Sequence, residues 1–355
     1  MDRATRGTKM QADEITEHFF EGSKHTSFYR ASGPDDGTPI IFVHGWPELS
    51  LSWRHQLRAL GALGFRCIAP DLRGYGRSSI YPDHGDYALE NVVGDMLELA
   101  DGLGFERAIW VGHDWGSPVV WSIASHHPKR CHGVANLCVP YRTLDLGFDT
   151  VVGLVNRDRY PESDYPAGQW EYMRYYEECF DDATRAFQTN VHNTVKSLLR
   201  KGNPQAFGQP TGTAMTRRNG GWFGDRSEAP DLPRDDDVVS EDELAEYTLY
   251  LEQNGFFGPD SYYMNHSRNA EYGSTVHNNG RLDMPVLFLA GQYDYTCDTI
   301  TSDLPAPMRE SCSNLTEKVI YSGHWMAQER PRDVNAALTH WLADKFTPLW
   351  RASRP

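Results

Sequence analysis

The chain has 355 residues, 39% of them hydrophobic and 12% aromatic, with a formal net charge of −15. That length buries a sizeable core without disulfide or metal staples, and the acidic balance argues against nucleic acid or an anionic membrane as partner, because phosphate binding needs clustered Lys and Arg. The six cysteines (Cys67, Cys131, Cys138, Cys179, Cys297, Cys312) form no CxxC pair, and no apolar run approaches the roughly eighteen residues of a membrane-spanning helix. Free, mostly buried thiols, a cytoplasmic location, no cofactor and no metal are therefore expected, and a homodimer is left open.

From about residue 15 to 140, short β-type runs alternate with amphipathic helical stretches, the pattern of βαβ units and a mostly parallel sheet flanked by helices. Ile40-Ile41-Phe42-Val43 and Cys67-Ile68-Ala69 read as buried strands. Between them Trp53, Leu57, Leu60 and Leu63 recur at helical spacing until Gly64 closes the segment. A second helix places Leu89, Val92, Met96, Leu99 and Leu103 on one face, and Gly104 releases the chain into the strand Ala108-Ile109-Trp110-Val111. A third helix, from Val119 to His127, ends at Pro128, so His113-Asp114-Trp115 falls in a sharp strand-to-helix turn.

After Pro140 the texture becomes Tyr- and Asp-rich and helical, followed by a Gly- and Pro-rich stretch from Gly202 to about Ser240 without periodicity. Strand character returns at Pro285 to Leu289 and at Lys318 to Tyr321, and a last helix covers Val334 to Phe346. The chain thus divides into an N-terminal core part (1–140), an inserted helical cap (141–275) and a C-terminal core part (276–355).

Three acid or base residues fall at the C-terminal ends of strands, where open parallel sheets place their ligands: Asp114, Asp294 and His324. Nucleophile, acid, histidine is the chain order of the α/β-hydrolase fold, and Gly112 and Gly116 flank the turn as a nucleophile elbow requires. Aspartate stands where serine is usual. Serine attacking an sp³ carbon would leave an unreactive ether, whereas a carboxylate leaves an alkyl ester. Water activated by His324 can then open that ester at the Asp114 carboxyl carbon, with the Trp46 and Trp115 amides as oxyanion donors. Asp298 is a rival to Asp294 as the partner of His324.

The segments His44-Gly45-Trp46-Pro47-Glu48 with Ser52-Trp53-Arg54, Pro70-Asp71-Leu72-Arg73-Gly74-Tyr75-Gly76-Arg77-Ser78-Ser79, and Gly112-His113-Asp114-Trp115-Gly116 together resemble the soluble epoxide hydrolases. The resemblance covers most of residues 25 to 350 and is weakest in the cap. It implies that Asp114 is the nucleophile, that His324 and Asp294 activate water, and that two cap tyrosines, matching Tyr172 and Tyr263, hold the epoxide oxygen. The pattern departs from the family at Tyr262, where Trp is common, and lacks the Gln-x-Pro-Gly that often follows the first tyrosine. His44, Pro47, His113 and Trp325 are expected around the pocket, the two histidines as hydrogen-bonded supports and not as bases. The partners so implied are a small-molecule epoxide and water.

Two alternatives are weighed. A haloalkane or haloacid dehalogenase runs the same Asp/His/Asp chemistry, but such enzymes resemble His-Gly-Asn-Pro at the first loop, and the fluoroacetate type carries Arg where Trp115 stands here. A non-catalytic ligand receptor on the same fold is the other, since fold does not fix function.

Overall fold

The computed structural model describes residues 14–349. Eight strands form one sheet in the order β1-β2-β4-β3-β5-β6-β7-β8. They are β1 (Thr16–Glu21), β2 (Thr26–Ser32), β3 (Pro39–Val43), β4 (Arg66–Pro70), β5 (Ala108–His113), β6 (Cys131–Leu137), β7 (Val286–Gly291) and β8 (Leu315–Ile320). β1 and β2 pair antiparallel with their neighbours, and all pairings from β4 to β8 are parallel. The interior strands β5 (AIWVGH) and β7 (VLFLAG) are buried at every residue, the continuous apolar run of a strand covered on both faces. The edges differ: β1 alternates between half-buried and exposed positions, and β8 exposes Glu317 and Lys318, which discourages edge-to-edge pairing.

Helices α1 (Arg54–Ala62), α2 (Leu89–Gly102) and α3 (Gly116–His126) cross over between the first parallel strands. α2 buries Leu89, Val92, Val93, Met96 and Leu99, the face its periodicity defines. Between β6 and β7 the chain leaves the sheet and builds the cap from α4 (Phe148–Gly153), α5 (Glu171–Gln188), α6 (Val191–Leu198), α7 (Glu241–Asn254), α8 (Phe257–Ser261) and α9 (His266–Ser274). α10 (Ala306–Ser311), α11 (Met326–Glu329) and α12 (Pro331–Phe346) complete the core. The aperiodic stretch from 202 to 240 holds only two short 3₁₀ turns. The six cysteines are free, Cys179 half-buried and the other five buried. No helix among the described residues is long and apolar enough to cross a membrane.

The cap is clamped to the core through α7. Ser240 and Glu243 form a capping box at its start, and Glu243 also takes the Arg54 guanidinium (Nη2 to Oε2, 2.8 Å). Glu246 pairs with Arg30 on β2, and Tyr247 meets Ser52 at 2.6 Å. Buried Arg54 thus has its carboxylate partner from the cap, and buried Arg30 shares its guanidinium between Glu246 of the cap and Glu17 of β1.

Candidate active site

The sheet register sets up the site. Val43 pairs with Gly112, His113 with Leu137, and Leu137 with Leu289, so β3, β5, β6 and β7 end along one line. The loops that leave this edge carry Trp46 after β3, Asp114 after β5, Asp294 after β7 and His324 after β8.

Asp114 sits at φ 48°, a left-handed conformation that costs a non-glycine residue energy and aims its carboxylate out of the turn. The flanking glycines are steric requirements: a Cβ on Gly116 would lie 2.1 Å from the Val43 carbonyl oxygen, and one on Gly112 2.5 Å from Asn136 Oδ1. The carboxylate is differentiated. Its Oδ1 accepts the Trp46 amide at 2.7 Å, while Oδ2 faces His324 Nε2 at 3.4 Å. The Trp115 amide, at the cap of α3, follows next in the chain.

His324 Nδ1 lies 2.9 Å from Asp294 Oδ2, and Asp294 Oδ1 accepts the Cys297 amide at 3.0 Å. Asp298 turns elsewhere, taking Arg159 at 2.7 Å and the Thr301 amide at 2.9 Å. The geometry therefore assigns Asp294, not Asp298, to His324. Both nitrogens of His324 face carboxylates, which only accept, so the imidazolium form fits. Burial by itself would lower the basicity of this ring, but Asp294 and Asp114 raise it well above the ordinary histidine range. Burial likewise opposes the charge on Asp294, and His324 pulls it below the usual carboxylate range.

Tyr172 on α5 and Tyr263 after α8 are buried, with rings 5.6 Å apart. Both line one cavity of about 320 Å³ together with Asp114, Trp46, His324 and Trp325. Burial, with the Asp114 charge adding to it, raises both phenols well above the ordinary tyrosine value, so they remain proton donors.

The expectation that His44, Pro47 and His113 line the pocket is corrected: all three are buried behind its wall, and of the four residues expected there only Trp325 faces the cavity. His44 accepts the Leu72 amide at Nε2 and donates from Nδ1 to the Gly45 carbonyl, which fixes a neutral tautomer; its burial lowers its basicity in agreement. His113 donates from both nitrogens, to Glu48 Oε2 at 2.7 Å and to the His324 carbonyl at 2.8 Å. Two acceptors require two N–H groups, so His113 is an imidazolium. Burial opposes that charge and Glu48 more than restores it, while Glu48, also desolvated, is brought down to about 2 by His113. Glu48 in turn accepts the Gly45 amide at 2.9 Å. One buried ion pair therefore ties the Trp46 loop, the elbow and the histidine loop together.

Sequence reasoning missed the rest of the cavity wall. Thr211, Thr213 and Trp222 come from the aperiodic 202–240 stretch, and Trp222 stacks on Trp46 at 5.5 Å. An isolated Trp in a polar Gly-rich loop was the available signal. Two sets of three ligating atoms gather within 4.8 Å, His113/Cys138/His324 and Asp294/Cys297/His324. The histidine nitrogens in both are already committed to the hydrogen bonds above.

Residues 38–331 match the family described as the alpha/beta hydrolase fold. The chain is 33% identical over 313 residues to epoxide hydrolase A of Mycobacterium tuberculosis, covering 87% of this chain and 91% of that protein. It is 30% identical over 317 residues to the bifunctional epoxide hydrolase 2 of Sus scrofa, covering 88% of this chain and 53% of that protein, so it spans about half the length of that relative. The crystal structure of epoxide hydrolase A from Mycobacterium thermoresistibile aligns over 93% of this chain and 98% of that one, with a TM-score of 0.76 and 28% identity. The chain belongs to the alpha/beta hydrolase fold family, and within it to the epoxide hydrolases.

Proposed function

We propose that this chain opens an epoxide to a vicinal diol through an alkyl ester on Asp114. The observation that carries the reading is one cavity in which Asp114, held by the Trp46 amide and facing His324, lies with two protonated phenols. Oδ2 is the attacking oxygen, because Oδ1 is engaged by the Trp46 N–H. Attack on the epoxide carbon breaks the C–O bond, and the departing oxygen takes a proton from Tyr172 or Tyr263. The ester that results has no charge on Asp114, which removes one of the two anions that keep His324 protonated, so the ring gives up a proton and the phenolate in the same cavity regains one. The neutral ring then accepts a proton from water as that water adds to the Asp114 carboxyl carbon. Negative charge develops on Oδ1, against the Trp46 amide and the Trp115 amide beside it. Collapse releases the diol, whose oxygen takes a proton from His324; the Asp114 acid then passes its own proton to the ring, restoring carboxylate and imidazolium, and Asp294 orients the ring and stabilises it whenever it is charged.

A halide-releasing reaction is the second reading, and one observation favours it: the indole nitrogens of Trp115 and Trp222 are buried without a hydrogen-bond partner among the described residues. Ring N–H groups hold halide, whereas phenols protonate an alkoxide. The paired phenols beside Asp114 make the epoxide the better fit. Free thiols suit a reducing compartment, and a cytoplasmic location is the reading that goes with them.

The test is the covalent intermediate. A single turnover of styrene oxide in ¹⁸O-labelled water should place label in Asp114 and none in the diol, and a second turnover should carry it into product. His324→Gln should accumulate an adduct with the whole mass of the epoxide; a halide substrate would add its mass less hydrogen halide. Label appearing directly in the first diol, with no adduct in the variant, would overturn the covalent route.

A further inference from the structure

Asp260 lies in α8 of the cap with no exposed surface, and no ion pair reaches it among the described residues. Burial pushes its carboxyl up to about 7. A carboxylate buried without a cation is destabilising unless donors surround it, and an apolar residue of the same size would pack there at less cost. Three donors do surround it, and they come from two layers. Trp46 Nε1 of the core donates to Oδ1 at 2.8 Å, Tyr176 of α5 donates to Oδ1 at 3.2 Å, and Thr184 of α5 donates to Oδ2 at 2.9 Å.

Two of these donors belong to residues that touch the reacting groups. The Trp46 amide holds Asp114 Oδ1. The Tyr176 ring lies flat on Tyr263, with centroids 4.6 Å apart and planes 7° apart, and the Trp46 ring meets the same tyrosine edge-on at 5.9 Å. A shift of either partner therefore moves a donor of the reaction.

We infer that Asp260 is a positioning residue that binds the Trp46 indole and the Tyr176 phenol at one point, and so sets the oxyanion amide and the epoxide-opening phenol relative to each other. This rests on the epoxide-hydrolase reading for its effect on rate, but the contact itself does not. The carboxylate acts through hydrogen bonds and not through proton transfer, since it reaches Asp114 and Tyr263 only by way of Trp46 and Tyr176. An amide keeps that geometry: its oxygen accepts from Trp46 and Tyr176, and its N–H donates to Thr184 Oγ1. A leucine keeps the volume and loses all three bonds.

The experiment has a kinetic arm and a spectroscopic arm. With styrene oxide, Asp260→Leu should slow both ester formation and ester hydrolysis by about tenfold to a hundredfold, as for an active group displaced by a fraction of an ångström to one ångström. Asp260→Asn should recover most of both rates, which a general loss of cap stability would not do. Trp46→Phe removes only the indole N–H of this set and should slow ester hydrolysis more than ring opening. In the ¹H–¹⁵N spectrum of the full chain, the Trp46 indole resonance, assigned by its loss in Trp46→Phe, should move in Asp260→Asn and stay in place in Asp294→Asn. Wild-type rates for both steps in a folded Asp260→Leu enzyme, or an indole resonance indifferent to Asp260→Asn, would overturn the inference. An inactive wild-type chain whose Trp46 resonance still answers to Asp260→Asn would sink the proposed reaction and support the tie between Asp260 and Trp46.

Discussion

Replacing Glu48 by Gln removes one charge from the buried pair with His113 and leaves the shape nearly unchanged. Glu48 is 1% exposed and its carboxyl is held near 2, against an ordinary 4.5, so the charged pair favours the folded state by about 3 kcal/mol. Removing one partner of a buried pair costs roughly 3–5 kcal/mol when the other charge is stranded. His113 can shed its proton, which places the expected loss at the lower end, about 3 kcal/mol. It then has one N–H for two acceptors, and either the Glu48 position or the His324 carbonyl loses its donor. The dependence on pH follows from the two shifts. Glu48, lowered, contributes stability present above its unfolded value near 4.5 and lost as pH falls toward 2; His113, raised, contributes stability present below about 6.5 and lost as pH rises through its raised value. The difference between wild type and Glu48→Gln, measured from guanidinium unfolding curves, should therefore be largest between about pH 5 and 6.5 and shrink below 4.5. A difference under about 1 kcal/mol at pH 6, or one that grows as the pH falls below 4.5, would refute the account of this pair.

Three further outcomes are expected. Tyr172→Phe and Tyr263→Phe should each slow ester formation by about a hundredfold with unchanged far-UV circular dichroism, and together nearly stop it; an equal loss from Tyr175→Phe, whose hydroxyl donates to the Gly220 carbonyl, would mean the wrong phenols are assigned. Asp294→Asn should impair ester hydrolysis more than ester formation, whereas Asp298→Asn should leave both rates near wild type and lower the melting temperature through loss of Arg159; the reverse pattern in rapid-quench experiments would exchange their roles. Activity should survive dialysis against EDTA, because the histidine nitrogens nearest a metal-like cluster are already hydrogen-bonded; inactivation reversed by a divalent ion would count against the whole scheme.

What was legible in the sequence was local. β3, β4, β5 and β7 announce themselves as apolar runs because parallel strands covered on both faces need apolar residues at every position. β8 begins at Leu315, three residues before the expected Lys318, because an edge strand with Thr316, Glu317 and Lys318 half-buried or exposed carries little apolar signal at its start. β1 escapes for a related reason, since an antiparallel edge needs only alternation and TEHFFE shows little of it; β2 is buried between β1 and β4, but Ser27, Arg30 and Ser32 interrupt its apolar run. The 202–240 stretch stayed unread because its order comes from contacts with the rest of the chain, such as Lys196 with Asp231 and Arg217 with Glu178, and not from its own periodicity.

The same division runs through the site. Asp114 could be found because strand, flanking glycines and helix lie within a few residues of it, and its strained backbone is the physical expression of that spacing. His113 could not be assigned a charge state from sequence, since the two acceptors that demand an imidazolium lie 65 and 211 residues away. Asp260 is the extreme case. In Gly258-Pro259-Asp260-Ser261 it reads as an ordinary turn or cap residue, and the partner that gives it meaning, Trp46, is 214 positions distant and in the other layer. A nucleophile needs a turn, and a turn is written in neighbours. The alignment of a nucleophile with its proton donor needs two layers held at a fixed distance, and that requirement appears only when the cap closes over the sheet.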